Sequence, residues 1–226
     1  MEALCGTYLQ AAQLQQQGVH VVSSDERTGM QALERKHPTL PSRPGMDERI
    51  AFEYIRHGTL CLMANWDVTR GRIREATIGP TRTEADFVAH IETTVDTDPD
   101  AGWIFIVDQL NTHLSEGLVR LVAKRCGLDV ELGVKGRRGI LRSMRTRKKF
   151  LSHVSHRIRF VYTPRHCSWL NQVEIWFSIL ARRLLKRASF ASLDELRERV
   201  VAFIRYFNEV LAKPFKWTYT GRPLQA

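Results

Sequence analysis

A chain of 226 residues is long enough to bury a substantial core and sits near the upper size for one domain, so a single large domain is expected. A hydrophobic fraction of 43% with 26% charged residues excludes a disordered chain, and no apolar run approaches the length that spans a bilayer. The formal net charge of +10 favours a polyanionic partner such as nucleic acid.

The opening residues lack the basic and long apolar regions of a secretory signal, which points to the cytoplasm. Cys5, Cys61, Cys126 and Cys167 are widely spaced with no CxxC pair, so neither a disulfide framework nor a zinc ribbon is implied.

In chain order, YLQAAQLQQQ carries good helix formers ended by Gly18 and reads as a linker helix over residues 1–17, ahead of a domain spanning 18–226. GVHVVSSDE reads as a buried strand stopping at Asp25. Residues 35–49 hold three prolines and a glycine, as a loop would. The stretch 49–79 predicts two strands turning at Thr69 to Gly71. Phe87, Ile91 and Val95 then recur at helical spacing within 81–97.

GWIFIVDQL predicts a second buried strand ending at Asp108, followed by a helix from Thr112 to Gly127. Residues 133–156 are basic and glycine-punctuated, and read as an insertion with one helix from Leu141 to Leu151. HRIRFVYTP predicts a third strand stopped by Pro164. Residues 168–187 and 192–211 read as helices, the latter with Ser192 and Glu195 as a capping box. Strands alternating with helices make this a mixed α/β fold, and sites in such folds lie off the carboxyl ends of strands.

Charge is distributed unevenly. From Leu132 to Leu193, 62 residues hold 15 Lys or Arg and one acid, Glu174. Such a stretch is suited to lie along phosphates, although a solvated face that keeps the chain soluble is the plainer reading of a charge run. The candidates for DNA contact are Lys135, Arg137, Arg138, Arg142, Arg145, Arg147, Lys148, Lys149, Arg165, Arg182 and Arg183.

A single strand-end Asp is usually a turn former. Here two occur, Asp25 and Asp108, and the third acid stands alone among cations. On a helical wheel, Trp169, Val173, Trp176, Phe177, Leu180 and Leu184 share the core side, while Asn171, Glu174 and Ser178 share another. Glu174 could instead pair with Arg182 or Lys186, but neither lies at the i+4 spacing. Three carboxylates without a cysteine cluster suit a hard ion, magnesium or manganese. Two such ions about 3.5–4 Å apart serve in-line displacement at phosphorus.

The segments VVSSDE, EYIRHGT, IFIVDQLNTH, FVYTPRHCSWLNQVEIWFSIL and KPFKWTYTG resemble the bacterial insertion-sequence transposases of the DDE superfamily, in the branch related to mariner elements. The resemblance implies an RNase H-like mixed sheet flanked by helices, with Asp25, Asp108 and Glu174 as catalytic metal ligands for two Mg2+ or Mn2+ ions. It implies hydrolysis at transposon ends to free a 3′-hydroxyl, attack of that hydroxyl on target DNA, double-stranded DNA as partner, a homodimer on paired ends, and a place on the bacterial nucleoid.

The chain departs from the family pattern in two places: its second and third acids are 66 positions apart, the basic insertion accounting for the excess, and Gln109 follows Asp108 where Asn is common. Family members also carry an N-terminal helix-turn-helix region, so a truncated copy or one half of a split gene is expected.

Around the three acids, His113, Asn111 and Asn171 are candidates to orient a water, a phosphate or a bound carboxylate. His153, His156, His166 and Cys167 fit no standard zinc spacing, and GVKGRRG lacks the ending of a nucleotide-binding loop. Trp169 reads as core, with stacking on a base as the alternative. Two other functions fit the same residues: a non-catalytic DNA-binding remnant, and an RNase H-like nuclease without strand transfer.

Overall fold

A computed structural model describes residues 1–38, 40–49 and 52–222. Thr39, Ile50, Ala51 and 223–226 lie outside the described residues, which removes one position of the expected 35–49 loop, the start of the expected hairpin and the end of the expected domain.

Five strands form one sheet: β1 (Val19–Arg35), β2 (Tyr54–Asp67), β3 (Arg72–Gly79), β4 (Gly102–Val107) and β5 (Ile158–Tyr162). Their order is β3-β2-β1-β4-β5. The β1–β2 and β2–β3 pairs are antiparallel, and β1–β4 and β4–β5 are parallel. The helices are α1 (Glu2–Leu9), α2 (Ala11–Gln16), α3 (Glu84–Asp96), α4 (Glu116–Arg125), α5 (Met144–Leu151), α6 (Val173–Leu180) and α7 (Leu193–Tyr206). No helix among the described residues is long and apolar enough to cross a membrane.

Alternation along β1 and β4 explains the layers, because successive side chains point to opposite faces. Val21, Ile104 and Ile106 face one core with Trp66, α6 and α7. Val22, Trp103, Phe105 and Val107 face a second core with α3, α4 and α5. Burying each large apolar side chain contributes about 1.5–3 kcal/mol. Residues 1–17, expected as a linker helix, form α1 and α2 and supply Leu4, Cys5, Tyr8 and Ala11 to the first core.

The hairpin turn is held by Asp67, whose Oδ1 accepts from the backbone N–H groups of Thr69 and Arg70 at 3.1 and 2.9 Å. Thr83 caps α3 with a reciprocal bond from Asp86. At α7 only half of the expected capping box forms. Ser192 accepts from the Glu195 N–H, but the Glu195 carboxylate reaches the Ala191 N–H instead of closing back on Ser192.

The basic segment 133–156 is part of the second core rather than an appendage, with Leu141 and Leu151 fully buried there. Its arginines do not all face solvent. Arg147 is buried and donates to the Leu114 and Leu141 carbonyls at 2.6 and 3.2 Å. The expectation that it contacts DNA is therefore corrected: Arg147 ties α5 to the 3₁₀ turn at Asn111–Leu114.

Candidate active site

Strand β1 does not stop at Asp25 as expected. Its parallel pairing with β4 ends at Ser23 and Ile106, while its antiparallel pairing with β2 runs on to Arg35. The parallel register joins residues 83 apart, such as Val19 with Gly102, and the same offset sets Asp25 level with Asp108. Neighbouring strands lie about 4.8 Å apart, so two acids meet at the point where these strands separate.

Asn171 brings the third element to this rim. The chain from Ser168 to Leu170 is a 3₁₀ turn, and Asn171 breaks from it with φ −86° and ψ 109° before α6 begins. Asn171 is fully buried; its Nδ2 donates to the Ser24 carbonyl at 2.9 Å and to Asp25 Oδ2 at 3.0 Å, and its Oδ1 accepts from Ser23 Oγ. Ser23 Oγ also accepts from the Val173 N–H at 2.9 Å, and the Asn171 carbonyl accepts from the Glu174 N–H at 3.1 Å. The first turn of α6, with Glu174, is thereby pinned to the end of β1.

The charges show how closely the acids interact. Burial raises the Asp25 carboxyl to about 7, with the charges of Asp108, Glu26 and Glu174 adding to the rise. Burial also raises Glu174, opposed by Arg27 and reinforced by Asp108. In Asp108, burial is outweighed by the His113 hydrogen bond and the Leu110 N–H, which hold it below the usual carboxylate range.

Glu26 was not foreseen from the sequence. It follows Asp25 and so faces the opposite side of the sheet, where its carboxylate, 2% exposed, lies 3.3 Å from His113 Nε2. The other ring nitrogen, Nδ1, is 2.7 Å from Asp108 Oδ1. His113 itself is 0% exposed, packs on Phe87, and has its carbonyl bonded by the Tyr162 hydroxyl. Burial alone would lower its pKa, but the two carboxylates more than reverse this and raise it to about 9. The charge of His113 likewise overcomes burial to lower Glu26. An imidazolium is clamped between two carboxylates.

The remaining candidates divide. Asn111 is exposed and makes no side-chain hydrogen bond among the described residues. Arg137, Arg142, Arg145, Lys149, Arg165, Arg182 and Arg183 are exposed. Lys135 lies 3.9 Å from Glu84 and Arg138 lies 3.2 Å from Glu131, so part of their charge is met locally. Lys148 rests over the Tyr162 ring at 5.0 Å. Trp169, expected in the core, is 57% exposed and lies beside Tyr219.

Among the described residues, no group of three or more His, Cys, Asp or Glu side chains converges as a metal cage. The donor chemistry nonetheless suits a hard cation. The Glu174 carboxylate makes no hydrogen bond or ion pair among the described residues, and each Asp25 carboxylate oxygen accepts one hydrogen bond, which leaves acceptor capacity on both side chains.

Of the raised groups, Asp25 and His113 set the main pH dependence of the metal-free protein. A group raised in the folded state stabilises fully below its unfolded value and loses that contribution as pH rises through its folded value. For Asp25 this window runs from 3.8 to about 7, and for His113 from 6.5 to about 9. Thermal unfolding in a chelator should therefore show Tm falling from pH 5 to pH 9. Magnesium should restore more stability at pH 8 than at pH 6, and a flat metal-free profile would contradict the charge arrangement.

A family model described as "DDE superfamily endonuclease" matches residues 20–197. No curated protein matches the chain. Among solved structures, the catalytic domain of Mos1 mariner transposase is similar with a TM-score of 0.51 at 9% identity, over 92% of this chain and 86% of that one. The Mos1 mariner paired end complex with Mn is similar with a TM-score of 0.51 at 12% identity, over 91% of this chain. The chain spans about half of that protein's length, 54%. The five-stranded mixed sheet flanked by helices is the RNase H-like arrangement of those catalytic domains.

Proposed function

The chain belongs to the DDE superfamily of endonucleases, and from that premise we propose that it is the catalytic core of a DNA transposase. It cuts phosphodiester bonds at transposon ends and joins the freed 3′-hydroxyl to target DNA. The observation that carries this reading is the mutual charge of Asp25, Asp108 and Glu174, brought to one rim by strand register and the Asn171 clamp. Carboxylates that raise one another's pKa are unfavourable as neighbours when ionised, and a bound cation relieves that repulsion.

Asp25, Asp108 and Glu174 would hold two Mg2+ or Mn2+ ions, which when bound activate the attacking oxygen and stabilise the leaving one. The protein's own groups do the positioning. Asn171 fixes the Asp25 carboxylate, and His113, backed by Glu26, fixes that of Asp108. Exposed cations such as Arg142, Arg145, Lys149 and Arg165 hold the double-stranded DNA backbone, making affinity salt-dependent. A homodimer on two paired ends is part of this reading, and the Mos1 matches support it through their paired-end complexes.

The test is incubation of the full chain with labelled duplex carrying the DNA that flanks its reading frame, inverted repeats included where they occur, with Mg2+ or Mn2+. Metal-dependent nicking and joined products are expected. Nicking without joining would indicate a nuclease, and binding without either would indicate a non-catalytic DNA-binding remnant. Asn171→Ala should slow nicking at least tenfold and lower stability by about 1–3 kcal/mol, because buried acceptors on Ser24 and Asp25 lose their donor. Unchanged nicking in that variant would remove Asn171 from the site.

A further inference from the structure

A cavity of about 910 Å³ opens on the face of α6 and α7, walled by the helical turns that continue them and by residues 213–215. Arg182, Arg183, Arg187 and Lys213 line it, and its wall carries no Asp or Glu. None of these four cationic side chains has an ion pair or hydrogen bond among the described residues. Phe203 and Tyr206 form an aromatic side, with Tyr206 48% exposed.

The wall is built rather than loose. Lys213 N–H donates to the Gly71 carbonyl at 3.1 Å, and Phe215 stacks on Trp66 with ring centroids 4.5 Å apart. Gly71 has φ +63°, and a Cβ there would lie 2.0 Å from the Lys213 carbonyl carbon, so the β2–β3 turn sits directly against the segment.

We propose that this groove seats an unpaired DNA strand continuing from the duplex at the three acids, with phosphates on Arg182, Arg183, Arg187 and Lys213 and a base against Tyr206. Cations without a protein partner and without a neighbouring acid attract an anion, and exposed aromatic area beside them favours bases whose faces are free, as they are in a single strand. The placement also fits: Arg182 lies 8 residues beyond Glu174 on one continuous helical run, about 12 Å along its axis, and Arg187 follows two residues after that run ends at Leu185. The inference rests on the reading of the chain as a DNA-processing enzyme, and deepens it by adding a second contact surface on the opposite face of the sheet from the basic segment.

The experiment is fluorescence anisotropy of the full chain in EDTA, with a blunt duplex, the same duplex bearing a six-thymidine single-stranded tail, and the tail alone. Because no divalent ion is present, the result is independent of whether the acids cut DNA. The tail should tighten binding at least fivefold. The combined variant Arg182→Ala, Arg183→Ala, Arg187→Ala should abolish that gain and reduce the slope of log affinity against log salt by about 2, since each single-strand phosphate contact adds about 0.7. Tyr206→Ala should weaken the tailed duplex at least fivefold. Arg120→Ala, on the opposite side of the sheet, serves as the control and should retain the full gain. The proposal is overturned if the tail adds nothing, or if the variants keep its full effect. It is equally overturned if they change only the sedimentation of the DNA-free protein, which would make the groove an interface between copies.

Discussion

Replacing Glu174 with glutamine is expected to reduce metal-dependent DNA nicking by at least about a thousandfold while leaving the fold intact. The expected loss corresponds to about 4 kcal/mol of transition-state stabilisation, within what a cation site supplies to phosphoryl chemistry. Glutamine keeps the size of the side chain at the start of α6 and removes only its charge. That charge helps raise Asp25, so the metal-free variant should unfold at the same temperature as the native protein or higher. The two readouts move in opposite directions, which separates loss of chemistry from loss of structure. Circular dichroism melts in EDTA, together with plasmid nicking in Mg2+, check both.

The second large effect concerns His113. Its ring is fully buried between Glu26 and Asp108, and removing one partner of a buried ion pair costs about 3–5 kcal/mol because the remaining charges lose their counter-ion. His113→Ala should therefore lower Tm by roughly 10 °C, taking about 2–4 °C per kcal/mol for a domain of this size. The loss should be greatest below pH 6.5, where the native pair is fully formed, and should shrink as pH rises through about 9. Glu26→Gln provides the finer test. The ring keeps its bond to Asp108 but loses its second charge, so Tm should fall less while nicking still slows. If both variants nick at the native rate, the clamp serves only the core.

Much of this was legible in the chain because burial makes acids conspicuous. VHVVSS and WIFIV are runs buried on both faces, so the acid ending each had to be a turn former or a ligand. Glu26 escaped notice because a doublet reads as one event, although the period of two assigns its members to opposite faces. A second carboxylate beside Asp25, on a strand with both faces covered, required its own partner, and the histidine downstream of Asp108 supplies it.

Trp169 was misplaced for a different reason. A helical period carried back to Ser168 puts Trp169 on the apolar side, but the turn at Asn171 resets the period, and only from Val173 onward does the apolar stripe predict burial. Arg147 looked like its neighbours in composition, yet one face of α5 packs inward, and its guanidinium satisfies two carbonyls there. Nothing local to DERTGMQALER announced that β1 would continue to Arg35. That extension depends on β2, which pairs with it across the register shifts between Arg27 and Met30 and between Gln31 and Leu33.

Counting bound ions addresses the mechanism directly. Titration of the metal-free protein with Mn2+ at pH 8, followed by electron paramagnetic resonance of the free ion, should give two ions per chain bearing duplex DNA, with both sites weakened at least tenfold by Asp108→Asn. Binding of no manganese, or the same binding in the Asp108→Asn variant, would contradict the assignment of Asp25, Asp108 and Glu174 as one cation site.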